Sequence, residues 1–117
     1  MDPVDPHHPR AVPLRSQYAD DPEMAELVDL FVDELPQRVE ALRAAFDAGD
    51  APSLRRLAHQ LRGAGAGYGF PAIGEAAGEV ETRLRTAGNA APELPNGLNR
   101  QLNDLIDLCS RATQTRS

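Results

Sequence analysis

Residues 51–70 read APSLRRLAHQLRGAGAGYGF, and this stretch decides the fold. Its apolar residues recur at steps of three and four, the spacing of one buried stripe on an amphipathic helix; they are Leu54, Leu57, Ala58, Leu61 and Tyr68. At roughly 100° per residue, His59 points about 150° away from the mean direction of that stripe. A helix that buries its leucines therefore exposes this imidazole to solvent.

The residues that share the face of His59 are small or cationic. Gly63 and Ala66 follow it by four and seven positions, so the surface on its C-terminal side is bare. Arg55 precedes it by four positions and Arg62 follows it by three, which places two guanidinium groups beside the ring. Guanidinium groups bind anions with paired hydrogen bonds. The pattern predicts an exposed histidine that carries an anion and that another macromolecule can approach.

This segment resembles the histidine phosphotransfer domain of bacterial multistep phosphorelays. The resemblance is carried by residues 59–64, His-Gln-Leu-Arg-Gly-Ala, by Gly69 ten residues after the histidine, and by Ile73 and Glu79 beyond it. It extends over about residues 22–112. It implies an antiparallel four-helix bundle whose histidine, here His59, accepts a phosphoryl group on Nε2 and donates it again.

The same resemblance implies the partners. The phosphoryl group would come from an aspartate of a response-regulator receiver domain and pass to another receiver, with a hybrid sensor histidine kinase as a further candidate partner. Arg62, and secondarily Arg55, would support the phosphoryl group, while Gly63 and Ala66 would leave room for the receiver. The receiver would bring its own Mg²⁺, so we expect no cofactor and no metal in this chain.

Length and composition limit the other functions. At 117 residues the chain has room for one core, and it has no glycine-rich phosphate loop, so we expect a phosphocarrier without kinase activity. The net charge of −6 argues against nucleic acid as a partner. The single cysteine, Cys109, rules out an intrachain disulfide and favours the cytoplasm, and no apolar run is long enough to cross a bilayer. We expect a monomer.

The first helix is predicted to begin at Asp20-Asp21-Pro22-Glu23, where an N-cap carboxylate precedes a proline. Its apolar stripe keeps one phase through Pro36 and ends at Gly49; it comprises Met24, Leu27, Val28, Phe31, Leu35, Val39, Leu42 and Phe46. Proline inside a helix removes a hydrogen bond, so the pattern predicts either one bent helix or two nearly collinear helices. Leu30 and Val32 flank the stripe, as a wider core contact or as an exposed docking patch.

The helix of His59 is predicted to be capped by Asp50, and two more amphipathic helices follow it. The third begins at Phe70-Pro71 and buries Ile73, Ala77, Val80 and Leu84, and the fourth buries Leu98, Leu102, Leu105, Ile106 and Cys109. Short connections make successive helices antiparallel, so we predict an all-α, up-down-up-down four-helix bundle. The domain is predicted to span residues 20–113, between a flexible proline-rich segment at residues 1–19 and a disordered tail at residues 114–117. Leu14 and Tyr18 either fold back over the bundle or remain in solvent.

A second function remains open from the sequence. A four-helix bundle of this kind could dock a receiver or another helical partner as a non-phosphorylated adaptor. The histidine would then have no chemical role. The presence of His59 among arginines and small residues favours phosphotransfer.

Overall fold

A computed structural model of the chain describes residues 12–87, 94–95 and 97–114. Four helices account for most of these residues: α1 (Pro22–Asp47), α2 (Ala51–Gly67), α3 (Pro71–Ala87) and α4 (Leu98–Arg111). Consecutive helices pack against each other and α1 also contacts α4, which closes the four-helix bundle. The all-α prediction is confirmed. None of these helices is both long and apolar enough to cross a bilayer, as far as the described residues go.

The helix starts are fixed by the caps that the sequence predicts. Asp21 Oδ1 accepts a hydrogen bond from the backbone N–H of Glu23 at 2.9 Å, and Asp50 Oδ1 accepts one from Ser53 at 3.2 Å. Each cap satisfies a backbone donor that the helix itself leaves unpaired. Between them, Gly49 adopts φ +66°, which ends α1 and turns the chain into α2.

The first helix is continuous through Pro36. The alternative of two separate helices is therefore excluded, and α1 is the longest element of the bundle at 26 residues. Pro36 lies on the exposed side of α1, opposite the stripe that fills the core.

One hydrophobic core runs through all four helices. Its fully buried large side chains are Phe70, Leu42, Leu54, Leu61, Ile73, Leu98, Leu105, Val28 and Val80. The predicted stripes of α3 and α4 are buried throughout, and Leu57, Tyr68 and Val39 pack against the core while remaining partly exposed. Phe31 stacks on Tyr68 at a ring-centroid distance of 5.1 Å and so ties α1 to the end of α2.

The predicted stripe of α1 is wrong at one position. Leu27 is 45% exposed, although Ala45 is buried on the same side of the helix. The two residues are 18 positions apart (45 − 27), which is five turns of 3.6 residues. A neighbouring helix thus covers that side near the α1–α2 turn and leaves it open near the start of α1. Leu30 is exposed as well, whereas Val32 packs against the core, so these two residues form no common patch.

The described part of the N-terminal segment, residues 12–19, is packed on the bundle. The backbone N–H of Leu14 donates to the carbonyl of Arg111 at 2.7 Å, and that of Thr113 donates to the carbonyl of Leu14 at 2.9 Å. Ser16 is buried, and its Oγ donates to the carbonyl of Tyr68 at 2.7 Å. We call residues 12–19 the strap. This part of the segment that is predicted to be flexible is therefore packed, because its backbone groups are paired with residues at the ends of α2 and α4.

Residues 1–11 and 115–117, for which flexibility and disorder are predicted, lie outside the described residues. Gln114 is described, and its side-chain amide donates to Asp33 of α1.

Candidate functional site

The site is built where α2 and α3 cross closely. The two helices run antiparallel, so residue numbers rise along α2 as they fall along α3. His59 accordingly contacts Glu81, and Gly65 contacts Gly74. Glycines set the spacing: a Cβ on Gly65 would lie 2.8 Å from the backbone nitrogen of Gly74. Only hydrogen in place of a side chain allows this approach. The close crossing brings a long side chain of α3 within reach of the exposed face of α2.

His59 is held by Glu81 at this crossing. Its side chain is 69% exposed, and Nδ1 lies 2.8 Å from Oε2 of Glu81, whose own side chain is only 8% exposed. An ionised carboxylate can only accept hydrogen bonds, so Nδ1 carries the proton and donates it. The neutral ring then has its lone pair on Nε2, the nitrogen that has no hydrogen-bond partner among the described residues.

Arg62 holds the other oxygen of the same carboxylate. Its Nη1 group donates to Oε1 of Glu81 at 3.1 Å. Burial on its own would raise the pKa of Glu81, but the hydrogen bonds and charges of Arg62 and His59 outweigh it and lower the pKa below its usual value. Glu81 is thus an ionised carboxylate at neutral pH with both oxygens occupied.

An open groove of about 1080 Å³ lies on one side of His59, between α2 and α3. Its floor is made of small residues, among them Gly63, Ala66, Gly74 and Gly78. A Cβ on Gly63 would meet nothing within 4 Å, so the surface next to the ring is empty space. A second protein can reach the imidazole from this side.

A smaller hollow of about 400 Å³ lies on the other side of the ring. It is lined by Pro52, Arg55, Arg56, His59 and Glu81. Arg55 forms no hydrogen bond or ion pair with any residue that the structure describes. The hollow therefore presents a guanidinium group with unused donors beside the histidine.

The arrangement supplies a nucleophile with a fixed tautomer, two flanking cations and an open approach. Among the described residues, Glu81 is the one acid or base that is hydrogen-bonded to the ring. In the described part of the chain, no cluster of three or more His, Cys, Asp or Glu residues could hold a metal ion.

The comparison with protein families decides the identity. A model of the Hpt domain matches residues 26–112, which is 87 of the 117 residues. The chain belongs to the Hpt domain family. Hpt domains carry a phosphoryl group on histidine in two-component phosphorelays, where they interact with receiver domains. No curated protein and no solved structure shows a significant match to this chain.

In this Hpt domain, the residues predicted to form the site lie on both sides of one ring. His59, Arg62, Gly63 and Ala66 border the large groove, and Arg55 borders the small hollow with His59. Sequence reasoning missed Glu81. A signal for it exists: Glu81 follows Ala77 by four positions and precedes Leu84 by three, so an acidic residue lies inside the buried arc of α3. A buried acid needs a partner, and only the register of α2 against α3 identifies that partner as His59.

Proposed function

We propose that this chain is a phosphorelay intermediate that accepts a phosphoryl group on Nε2 of His59 from a receiver aspartate and passes it to another receiver. The observation that supports this most directly is the Glu81–His59 hydrogen bond, which leaves the reactive lone pair on the exposed nitrogen. Membership of the Hpt family supports the general role. We place the protein in the cytoplasm as a monomeric carrier.

The transfer is an in-line displacement at phosphorus. The Nε2 lone pair forms the new N–P bond, while the bond from phosphorus to the aspartyl oxygen of the donor breaks and its electron pair remains on the carboxylate. Nδ1 keeps its proton, and Glu81 accepts the hydrogen bond from a ring that gains positive charge. The donor receiver supplies the Mg²⁺ and the groups that stabilise the phosphoryl oxygens in flight. Transfer to the next receiver is the reverse of these steps.

The remaining roles follow from position. Gly63 and Ala66 border the large groove and leave the ring accessible to the active-site loops of a receiver. Arg62 and Arg55 supply positive charge on either side of the ring. We propose no kinase or phosphatase activity for the chain alone, because the site has one nucleophile and relies on the receiver for the rest of the chemistry.

Substitution of His59 by glutamine tests the assignment. A receiver that carries an aspartyl phosphate should label the parent protein with a phosphate that is labile in acid and stable in base, and should leave His59→Gln unlabelled. Circular dichroism should show the same helix content in both, because an exposed side chain contributes little to the core. Equal labelling of the variant would move the acceptor to His7 or His8, which lie outside the described residues.

The same experiment separates the carrier from an adaptor. An adaptor would bind the receiver without becoming labelled, and its binding would not depend on His59. The exposed, hydrogen-bonded ring favours the carrier, because an adaptor has no need for a buried carboxylate that fixes the tautomer.

A further inference from the structure

The two arginines beside His59 differ in what already binds them. Nη1 of Arg62 lies 3.1 Å from Oε1 of Glu81, whose side chain is 8% exposed and has little water to replace that partner. A buried carboxylate that loses one of its partners becomes costly. Arg62 is therefore held at Glu81, and its charge is largely balanced there before any phosphoryl group arrives.

Arg55 is free of such a partner within the described residues. It precedes His59 by four positions, so the two side chains are neighbours along one face of α2. Both line the small hollow, and Arg55 is partly buried there. Its guanidinium group can thus reach an anion attached to the ring without leaving another contact.

Arg56 borders the same hollow but also faces the helix cap. The pKa of Asp50 lies below its usual value, chiefly through hydrogen bonds from Ser53, and the charge of Arg56 adds a weaker effect. Arg56 is also on the more exposed side of α2. Of the three arginines near His59, Arg55 is the one that neither pairs with a described carboxylate nor lowers the pKa of one, although Glu81 borders the same hollow.

We propose that Arg55 binds the phosphoryl group carried by His59, whereas Arg62 is a positioning residue that acts through Glu81. The proposal deepens the proposed function and rests on His59 as the acceptor. It places phosphoryl oxygens beside Arg55 at the small hollow and leaves the phosphorus atom open to a receiver that approaches over the large groove.

The two roles predict different consequences of removing each arginine. A cation that touches the phosphoryl group favours its dianion, so Arg55→Ala should raise the pKa of the phosphoryl group. Loss of Arg62 should instead loosen Glu81 and change the tautomer balance of the unphosphorylated ring. These two quantities can be measured on the same samples.

The test uses the full chain phosphorylated at His59 with potassium phosphoramidate, a small-molecule donor that needs no receiver. A ³¹P NMR titration gives the pKa of the phosphoryl group, and ¹⁵N shifts of the unphosphorylated ring give its tautomer. We expect Arg55→Ala to raise the phosphoryl pKa and to slow transfer to a receiver roughly three- to tenfold, with ring shifts unchanged. Arg55→Lys should bring the phosphoryl pKa most of the way back to the parental value. Arg62→Ala should mainly change the ¹⁵N shifts of the unphosphorylated ring.

The control is Arg43→Ala, which removes an equal charge from an exposed position on α1 that borders neither cavity. The proposal is overturned if Arg55→Ala titrates like the parent, or if Arg62→Ala raises the phosphoryl pKa by more than Arg55→Ala does. Failure of phosphoramidate to modify His59 would reject the acceptor itself. If Arg55→Ala raises the phosphoryl pKa but no receiver labels the protein, the proposed relay function is rejected, while the contact between Arg55 and the phosphoryl group stands.

Discussion

The carboxylate of Glu81 connects the chemistry of the site to the stability of the fold. Its pKa is lowered in the folded protein, so the folded chain binds fewer protons than the unfolded chain near that pKa. Its contribution is therefore complete above the unfolded pKa of about 4.3 and is lost as the pH falls through the lower folded value. We expect the urea midpoint to drop between pH 6 and pH 3, and Glu81→Gln to show a weaker drop over the same range. Equal slopes would mean that other carboxylates set the acid dependence.

Gly63 separates access from stability. A side chain at this position would point into open space, so Gly63→Gln should raise the free energy of unfolding by up to about 1 kcal/mol through better helix propensity. The same side chain would stand one turn from the imidazole, where we expect a receiver to approach, and transfer should fall by at least about tenfold, which is about 1.4 kcal/mol in the barrier. Urea melts and a receiver transfer assay measure the two effects. Transfer at the parental rate would show that the receiver does not approach over Gly63.

For single residues, the sequence predicts which side chains are exposed better than it predicts which side chains contact each other. The direction of His59 followed from its angle to the leucine stripe, because burial of that stripe fixes the rotation of α2. The contact with Glu81 could not be predicted, because it depends on the register of α3 against α2. The apolar pattern does not fix that register to within a few residues.

Among the elements, the strap and the α2–α3 turn stabilise each other. Gly69 adopts φ +86°, and a Cβ there would collide with Ser16 Oγ and lie 2.9 Å from the backbone nitrogen of Gln17. Gly69→Ala should therefore cost about 2 kcal/mol or more. Gly67→Ala is the matched control, since a Cβ on Gly67 meets nothing within 4 Å and its φ is not positive; it should leave stability unchanged or raise it by up to about 1 kcal/mol. Equal denaturation midpoints for the two variants would show that the strap does not pack closely against Gly69.

The sequence predicted the helices through two kinds of signal. These are the N-caps, at Asp21 and Asp50, and the apolar period along each helix. Both act locally along the chain, so no knowledge of the partner helices was needed. The strap has neither signal: it binds through backbone hydrogen bonds and one buried serine, and proline-rich composition favours an irregular chain whether or not it is packed. The predicted burial of Leu27 was wrong for a related reason. The apolar period shows which side of α1 faces the core, but not how far along α1 the neighbouring helix covers that side.

For the molecule as a whole, Cys109 provides an intrinsic probe of unfolding. Its thiol is buried in the core, and burial raises its pKa to about 12. Since the thiolate is the reactive form, we expect negligible reaction with a disulfide reagent in native buffer and complete reaction in concentrated urea. The reaction rate should follow the unfolded fraction measured by circular dichroism. Rapid reaction of the folded protein would mean that α4 opens on its own.

The pairing of Leu14 with Ala112 brings the first and last described segments side by side at one end of the bundle. Residues 12 and 114 each lie two positions from a paired residue, so a bridge on the order of five residues could join them. The chain could then be closed into a ring and reopened in the connection between α3 and α4, giving a circular permutant with the same four helices. His59 lies midway along α2, away from the paired segments, so such a permutation should leave the surface around the imidazole unchanged.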